Sequence, residues 1–186
     1  RIIECLESLS FVCDHPSGLS DEQNTVLIAS KRHEVLDLDS LPNAWSIFGV
    51  ECQGLKLIGV YLPLKNSKKP VFDWLNANAS ALSQTLLVGD FNTGDNDKDL
   101  EGSSKFYCAA DFSLLTRNHF FDAYRVNHPE GRDYSWRSPV GNGFRIDHVL
   151  VSRDLESYSV EVAYDHKTRE KISDHSSLFV SLGTIK

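Results

Sequence analysis

The sequence predicts an α/β fold in which two sheets pack face to face with helices outside. Three observations carry this. Short apolar or β-branched runs recur along the whole chain, a few segments show helical apolar spacing, and Gly, Pro and Asn punctuate the junctions between them. No internal repeat, low-complexity tract or linker interrupts the pattern, so residues 1–186 are expected to form a single domain.

In chain order, Ile2, Ile3, Leu6 and Leu9 repeat at helical spacing and predict the end of an amphipathic helix. Asn24 to Ser30 reads as a strand. Ser46 to Cys52 and Leu55 to Leu62 read as two strands joined by a hairpin turn at Gln53-Gly54. Pro63 ends the second, and a polar lysine-bearing loop precedes a helix over Val71 to Leu82. Thr85 to Val88 is a buried-type strand, residues 93–105 form an acidic loop, and Phe106 to Leu115 has helical spacing. A short apolar element follows at Phe120 to Tyr124. Strands are expected at Asp133 to Trp136, Phe144 to Ser152, Ser159 to Tyr164 and Ser177 to Leu182.

The 186 residues are 41% apolar and 24% charged, ordinary for a soluble globular chain, and no apolar run reaches the length of a membrane span. Cys5, Cys13, Cys52 and Cys108 form no C-x-x-C pair, and the apolar stretches around three of them predict buried free thiols and a reducing, cytoplasmic compartment. The net charge of −7 argues against a protein that tracks nucleic acid by charge alone, though it leaves room for a local basic rim. The chain starts at Arg1 rather than Met, so it reads as a fragment or a processed chain whose upstream targeting signals are out of view.

Three short motifs carry chemistry. Gly89-Asp90-Phe91-Asn92 closes a strand, and side-chain alternation puts Asp90 and Asn92 on one face with Phe91 on the other. A carboxylate beside a carboxamide can align water or hold a metal; a simple strand-closing turn would use the same residues. In Phe144-Arg145-Ile146-Asp147-His148, Asp147 lies in an apolar strand, where an unpaired carboxylate is costly. Its partner is either Arg145, two positions away, or a histidine from elsewhere; His148 faces the other way and reads as a packed or surface residue. In Ser173-Asp174-His175, the two titratable side chains can serve one site only if the strand entrance is irregular; a polar strand cap is the alternative.

Taken in order, these motifs resemble the endonuclease/exonuclease/phosphatase superfamily, with its G-D-x-N strand end, R-x-D strand and terminal S-D-H. Val60-Tyr61-Leu62-Pro63, Phe121 to Arg125, Tyr134-Ser135-Trp136 and Gly141-Asn142-Gly143-Phe144 look most like its exonuclease III-type, abasic-site endonuclease branch. The resemblance covers about Asn24 to Leu182 and implies a four-layer α/β sandwich of two mixed sheets flanked by helices. It also implies that the first one or two strands are lacking, because the family's opening strand with a catalytic Asn and a second strand ending in a metal-binding Glu have no counterpart; Glu4 and Glu7 sit in the helix that would follow. Leu64 stands where the abasic-site enzymes often have Asn.

The resemblance further implies a metal-dependent phosphoester hydrolase. Asp90 would orient or deprotonate water, Asn92 hold water or phosphate, His175 contact the phosphate, Asp147 orient His175, and Tyr61 assist at the phosphate or leaving oxygen. Asp174, with Asp90 and Asn92, would hold Mg²⁺ or Mn²⁺, since the ligands are hard oxygens. Trp136 and Phe144 would line a substrate pocket, with Arg145, Lys65 and Lys68 as further substrate contacts; core packing and a solvated lysine loop are the ordinary alternatives. Three functions stay open at this stage: a DNA phosphodiesterase, a same-fold hydrolase of small or lipid phosphoesters, and a non-catalytic remnant or binding module. The implied partner is a phosphoester, DNA among the candidates; oligomeric state is not encoded in any motif.

Overall fold

The computed structural model describes residues 1–20, 23–38 and 41–184. The elements run α1 (Ile2–Ser8), β1 (Val12–Asp14), β2 (Ile28–Ser30), β3 (Glu34–Val35), β4 (Ile47–Cys52), β5 (Leu55–Tyr61), α2 (Lys69–Asn78) and β6 (Thr85–Asp90). They continue with α3 (Ala109–Asn118), β7 (Phe120–Asp122), α4 (Ala123–Asn127), β8 (Trp136–Arg137), β9 (Gly143–Phe144), β10 (Asp147–Ser152), β11 (Tyr158–Asp165), α5 (His166–Lys171) and β12 (Ser177–Thr184).

The centre is a mixed six-stranded sheet in the order β3-β4-β5-β6-β10-β7. Gln53 and Gly54, both at positive φ, close the β4–β5 hairpin as their residue types predict. β5 and β6 are parallel, joined through α2, while β6 and β10 are antiparallel. That pairing sets Tyr61 opposite Asp90 and Asp90 opposite Asp147, so three polar side chains meet at one end of the sheet.

Alternation sends each strand's apolar residues to both faces. On one face Ile58, Leu87 and Leu150 pack against Val71, Phe72 and Leu75 of α2 and Phe112 and Leu115 of α3. Pro70 in the first turn of α2 fixes φ where no intrahelical N–H bond is needed. Truncating a fully buried member such as Leu87 to Ala would cost about 2–5 kcal/mol. On the other face Leu86, Val149 and Val151 meet Val160 and Val162 of β11 and Leu178 and Leu182 of β12. Val26 and Ile28 cover Val50 nearby. The second sheet layer therefore consists of two antiparallel two-stranded ladders, β1-β2 and β11-β12, on the same face of the large sheet.

Several expectations shift. The run Phe144 to Ser152 is broken: β9 stops at Phe144 and β10 starts at Asp147, because Arg145 turns into the interior. The third helix starts at Ala109 rather than Phe106, since Cys108 is in the left-handed region and Phe106 N–H is held by Asn96 Oδ1 at 2.7 Å. The thiols are free as expected, yet Cys5 is exposed and the other three are half-buried rather than buried. α5 has no buried residue and so left no apolar periodicity to read; Asp165 caps it by accepting from Lys167 N–H. Among the described residues, no helix is long and apolar enough to cross a membrane.

Candidate active site

At the C-terminal end of β6, Gly89 has φ of +139°, and a Cβ there would sit 2.1 Å from Val60 O. Glycine is what lets β5 and β6 approach closely enough to bring Tyr61 beside Asp90. Asp90 Oδ1 accepts from Asn92 N–H at 2.8 Å and Oδ2 from Asn92 Nδ2 at 3.0 Å. Asn92, in the left-handed region, also donates through Nδ2 to Leu62 O at 2.8 Å. Both amide hydrogens are thus engaged, and what Asn92 offers the cleft is its oxygen. Burial, reinforced by the Asp147 carboxylate, pushes the Asp90 pKa up to about 6.

Asp147 is the neighbour of Asp90 across the β6–β10 ladder. Its Oδ2 lies 2.8 Å from His175 Nδ1, which settles its partner in favour of the distant histidine. Tyr164 OH donates to the Asp147 carbonyl at 2.7 Å, and Ser135 Oγ accepts from Asp147 N–H at 3.2 Å, so the dyad is held from behind. Burial pulls His175 towards its neutral form, but the bond to Asp147 and that carboxylate's charge outweigh it and raise its pKa.

The strand entrance at Asp174-His175 is irregular, as a shared site requires. Trp136 bridges His175 in isolation, Ser176 N–H bonds Ser135 O at 2.8 Å, and Trp136 Nε1 donates to Asp174 Oδ2 at 3.3 Å. Asp174 is exposed. It shares one open cleft of about 1120 Å³ with Asp90, Asn92, His175 and Tyr61, while Asp147 stands behind His175. Trp136, Phe144 and Lys65 also line this cleft.

Two residues expected at the substrate lie elsewhere. Arg145 is 1% exposed and forks onto two buried carboxylates, with Nε 2.7 Å from Asp99 Oδ1 and Nη2 2.6 Å from Asp122 Oδ2. It belongs to the core because two carboxylates there demand a cation. Lys68 is also 1% exposed, and its Nζ bonds Asn92 O at 2.5 Å; burial lowers its pKa to about 8. It supports Asn92 from below instead of forming a basic rim. Of the packed and surface positions open to His148, the fold uses the packed one, between Phe91 and Phe112 with Nε2 2.8 Å from Thr93 O.

Trp45, Phe106 and Ile146 line the cleft and escaped sequence reasoning. Phe106 closes an acidic loop whose composition gave no sign of a wall residue.

Asp174, Asp90 and Asn92 each present oxygen atoms to the cleft, the donor type that a hard divalent cation takes. Asp99, Asp122 and His148 also lie close enough together to suggest a metal cluster. There the Arg145 guanidinium, with Arg125 pairing Asp99, already supplies the positive charge, and the group is buried.

The chain belongs to the Endonuclease/Exonuclease/phosphatase family, whose profile matches residues 61–175, from Tyr61 to His175 of this cleft. Exodeoxyribonuclease III of Haemophilus influenzae is 29% identical over 117 residues, which span 50% of this chain and 44% of that protein. The chain therefore spans less than half the length of that curated relative in the match. Among solved structures, it is similar to a 3′ phosphatase from Neisseria bound to a product DNA hairpin, with a TM-score of 0.80 at 25% identity, covering 96% of this chain and 82% of that one. An AP endonuclease from Archaeoglobus fulgidus shares the fold, with a TM-score of 0.78 at 22% identity over 95% of this chain and 81% of its own.

Proposed function

We propose that this chain carries the catalytic cleft of a divalent-metal-dependent phosphoester hydrolase acting on DNA. The observation that carries the reading is the 2.8 Å His175–Asp147 contact one strand away from the Asp90–Asn92 pair. Asp90, beside Asp147 at the end of the sheet, is placed to take a proton from the attacking water. Asn92 orients that water through its amide oxygen. As the water oxygen bonds to phosphorus, the bond to the departing oxygen breaks and charge builds on the phosphoryl oxygens. His175, whose proton affinity Asp147 raises, donates to one of them, and Tyr61 donates its hydroxyl on the opposite flank. Asp174, Asp90 and Asn92 would hold the cation, which supplies Lewis-acid neutralisation of the phosphate charge.

DNA is favoured over small or lipid phosphoesters by the likeness to the Haemophilus exodeoxyribonuclease and the Neisseria phosphatase seen with a DNA hairpin. The test is hydrolysis of end-labelled DNA and of small phosphoesters with Mg²⁺ and with EDTA, for the protein and for His175→Ala. Mg²⁺-dependent DNA cleavage lost in the variant is expected. Turnover confined to small phosphoesters would overturn the DNA reading, and no turnover on either would leave a binding module.

A further inference from the structure

We infer that this cleft takes an unpaired strand end, gripped by base stacking between two aromatic flanks, rather than the interior of a duplex held by its phosphates. The inference rests on the DNA-hydrolase reading and names the form of DNA the site accepts.

Strand register places the flanks. β5, β6 and β10 lie side by side, so Tyr61 and Asp147 stand on opposite sides of Asp90. Beside Tyr61 is Trp45, edge-on with ring centroids 6.2 Å apart. Beyond Asp147 is His175, bridged to Trp136, whose ring lies 5.6 Å from Phe144, which in turn meets Phe106 at 5.9 Å. All five aromatic residues line the cleft and all five are half-buried, which is not the state of core aromatics.

The backbone that carries two of these rings is tethered by side-chain hydrogen bonds. Phe106 N–H is bound to Asn96 Oδ1, and the next carbonyl, of Tyr107, accepts from Thr93 Oγ1 at 2.9 Å. Trp45 O accepts from Thr25 Oγ1 at 2.6 Å. A tethered backbone, together with the ring-to-ring contacts, leaves less freedom to be lost on binding. A ring meets a base face at least cost where the strand is unpaired, because in a duplex those faces are stacked on each other and must first be separated.

The charges argue the same way. Lys65 is the one lysine or arginine among the described residues lining the cleft. Of the nearby cations, Lys68 and Arg145 are buried on Asn92 O and on Asp99 and Asp122, Lys69 and Arg137 are paired at the surface with Asp73, Asp111 and Glu101, and Lys105 is exposed beside Phe106 but does not line the cleft. Asp90 and Asp174 face inward on a chain of net charge −7. A site that holds duplex by its phosphates needs several free cations, and affinity then falls steeply with salt.

The test is binding in EDTA, where hydrolysis is blocked, followed by fluorescence anisotropy and tryptophan emission. Three ligands are compared: a single strand of about 12 nucleotides ending in a 3′ phosphate, its blunt duplex, and a duplex with an internal abasic site. The single strand is expected to bind about 10-fold or more tightly than either duplex and to quench Trp45 and Trp136, with a log K against log salt slope of only about −1 to −2. Trp45→Ala and Phe106→Ala should weaken it about 5- to 100-fold with the slope unchanged, and Phe106→Leu, which keeps apolar bulk but no π face, should do the same. Lys65→Ala should flatten the slope by about 0.7. Tightest binding to the internal abasic duplex, a slope steeper than about −4, or ring variants that bind like the parent would overturn the inference. Hydrolysis of the same DNAs with Mg²⁺ separates the two readings. Turnover with a duplex preference defeats this inference alone, while single-strand stacking without turnover defeats the hydrolase reading and leaves the binding site.

Discussion

Asp147 Oδ2 and His175 Nδ1 are 2.8 Å apart although 28 positions separate them in sequence. Burial opposes the charge on this partly exposed imidazole, but the contact with the Asp147 carboxylate outweighs it and raises the His175 pKa. His175→Ala should lower turnover by about 10²-fold or more, as loss of a group that donates to developing charge does. Asp147→Asn should also lower it, and an NMR titration should show the His175 pKa falling back towards 6.5. The folded-state pKa is raised, so the stability that the pair contributes is full below the ordinary pKa and fades as pH rises through the raised one. A His175 titration unchanged in Asp147→Asn would contradict the role given to Asp147.

Asp90 shows the opposite balance between stability and function. Its folded-state pKa of about 6 lies above the ordinary 3.8, so its ionisation costs stability as pH rises between those values. Two units are worth about 3 kcal/mol. Asp90→Asn removes that cost but places a new NH₂ against Asn92 Nδ2, where Asp90 Oδ2 now accepts, so a net gain of about 1–2 kcal/mol is expected at neutral pH without divalent cation. Turnover should be lost at the same time. Urea denaturation at about pH 4 and pH 8 checks the sign, since the gain should vanish at the lower pH.

Metal affinity separates Asp174 from Asp90. Asp174 is exposed and engaged only weakly by Trp136 Nε1, whereas Asp90 already accepts two bonds from Asn92. Calorimetry with Mg²⁺ should therefore find a larger loss of affinity in Asp174→Asn than in Asp90→Asn. The reverse order would remove Asp174 as the principal ligand.

Arg145 is a stability residue. Burial pushes Asp99 and Asp122 up, but Arg145 between them holds both below the usual carboxylate range. Arg145→Met should cost about 3–5 kcal/mol at neutral pH, because it leaves two buried carboxylates short of a cation. Arg145→Lys should recover little, since an ammonium cannot fork onto both. Since the folded-state pKa values are depressed, the parent's stabilisation is present above 3.8 and lost as pH falls through the lower values, so the gap between parent and variant should narrow in acid. A gap constant with pH would contradict this.

The cleft end of the sheet was legible because its residues are local in motif and fixed by strand alternation. Asp90 with Asn92, and Asp174 with His175, each announce themselves within four positions. The Asp147–His175 contact could be posed from sequence as one of two pairings and was decided by the fold. Arg145 misled because its spacing from Asp147 suggested one continuous strand, while its true partners, Asp99 and Asp122, lie in a loop and in another strand. Burial of a charge is a tertiary property that periodicity does not record. Phe106 was hidden for a similar reason: its wall position is set by bonds from Asn96 and Thr93 across the acidic loop.

Lys68 and Lys65 test how far lysines near a phosphate site can be sorted by direction. Three residues apart, one is buried beneath Asn92 and the other faces the cleft. Lys68→Met keeps most of the volume and removes the charge. Two effects on stability then oppose each other. The bond to Asn92 O is lost, at about 1.5–3 kcal/mol, and the cost of burying the ammonium is relieved. The shift from 10.5 to about 8 sets that relief at about 3 kcal/mol near neutral pH. The lowered pKa means that the parent bears this cost as pH falls through 8 and is free of it above 10.5, so Met should gain on the parent only below that window. Net stability at neutral pH should change by less than about 1.5 kcal/mol, yet Asn92, in its left-handed conformation, loses the donor that anchors its carbonyl. Turnover should therefore fall about 10-fold with KM for DNA and its salt dependence unchanged, whereas Lys65→Ala should alter salt dependence and leave kcat alone. Steady-state kinetics at two salt concentrations distinguish them. A flattened salt dependence in Lys68→Met would place that ammonium on the substrate and reverse the assignment.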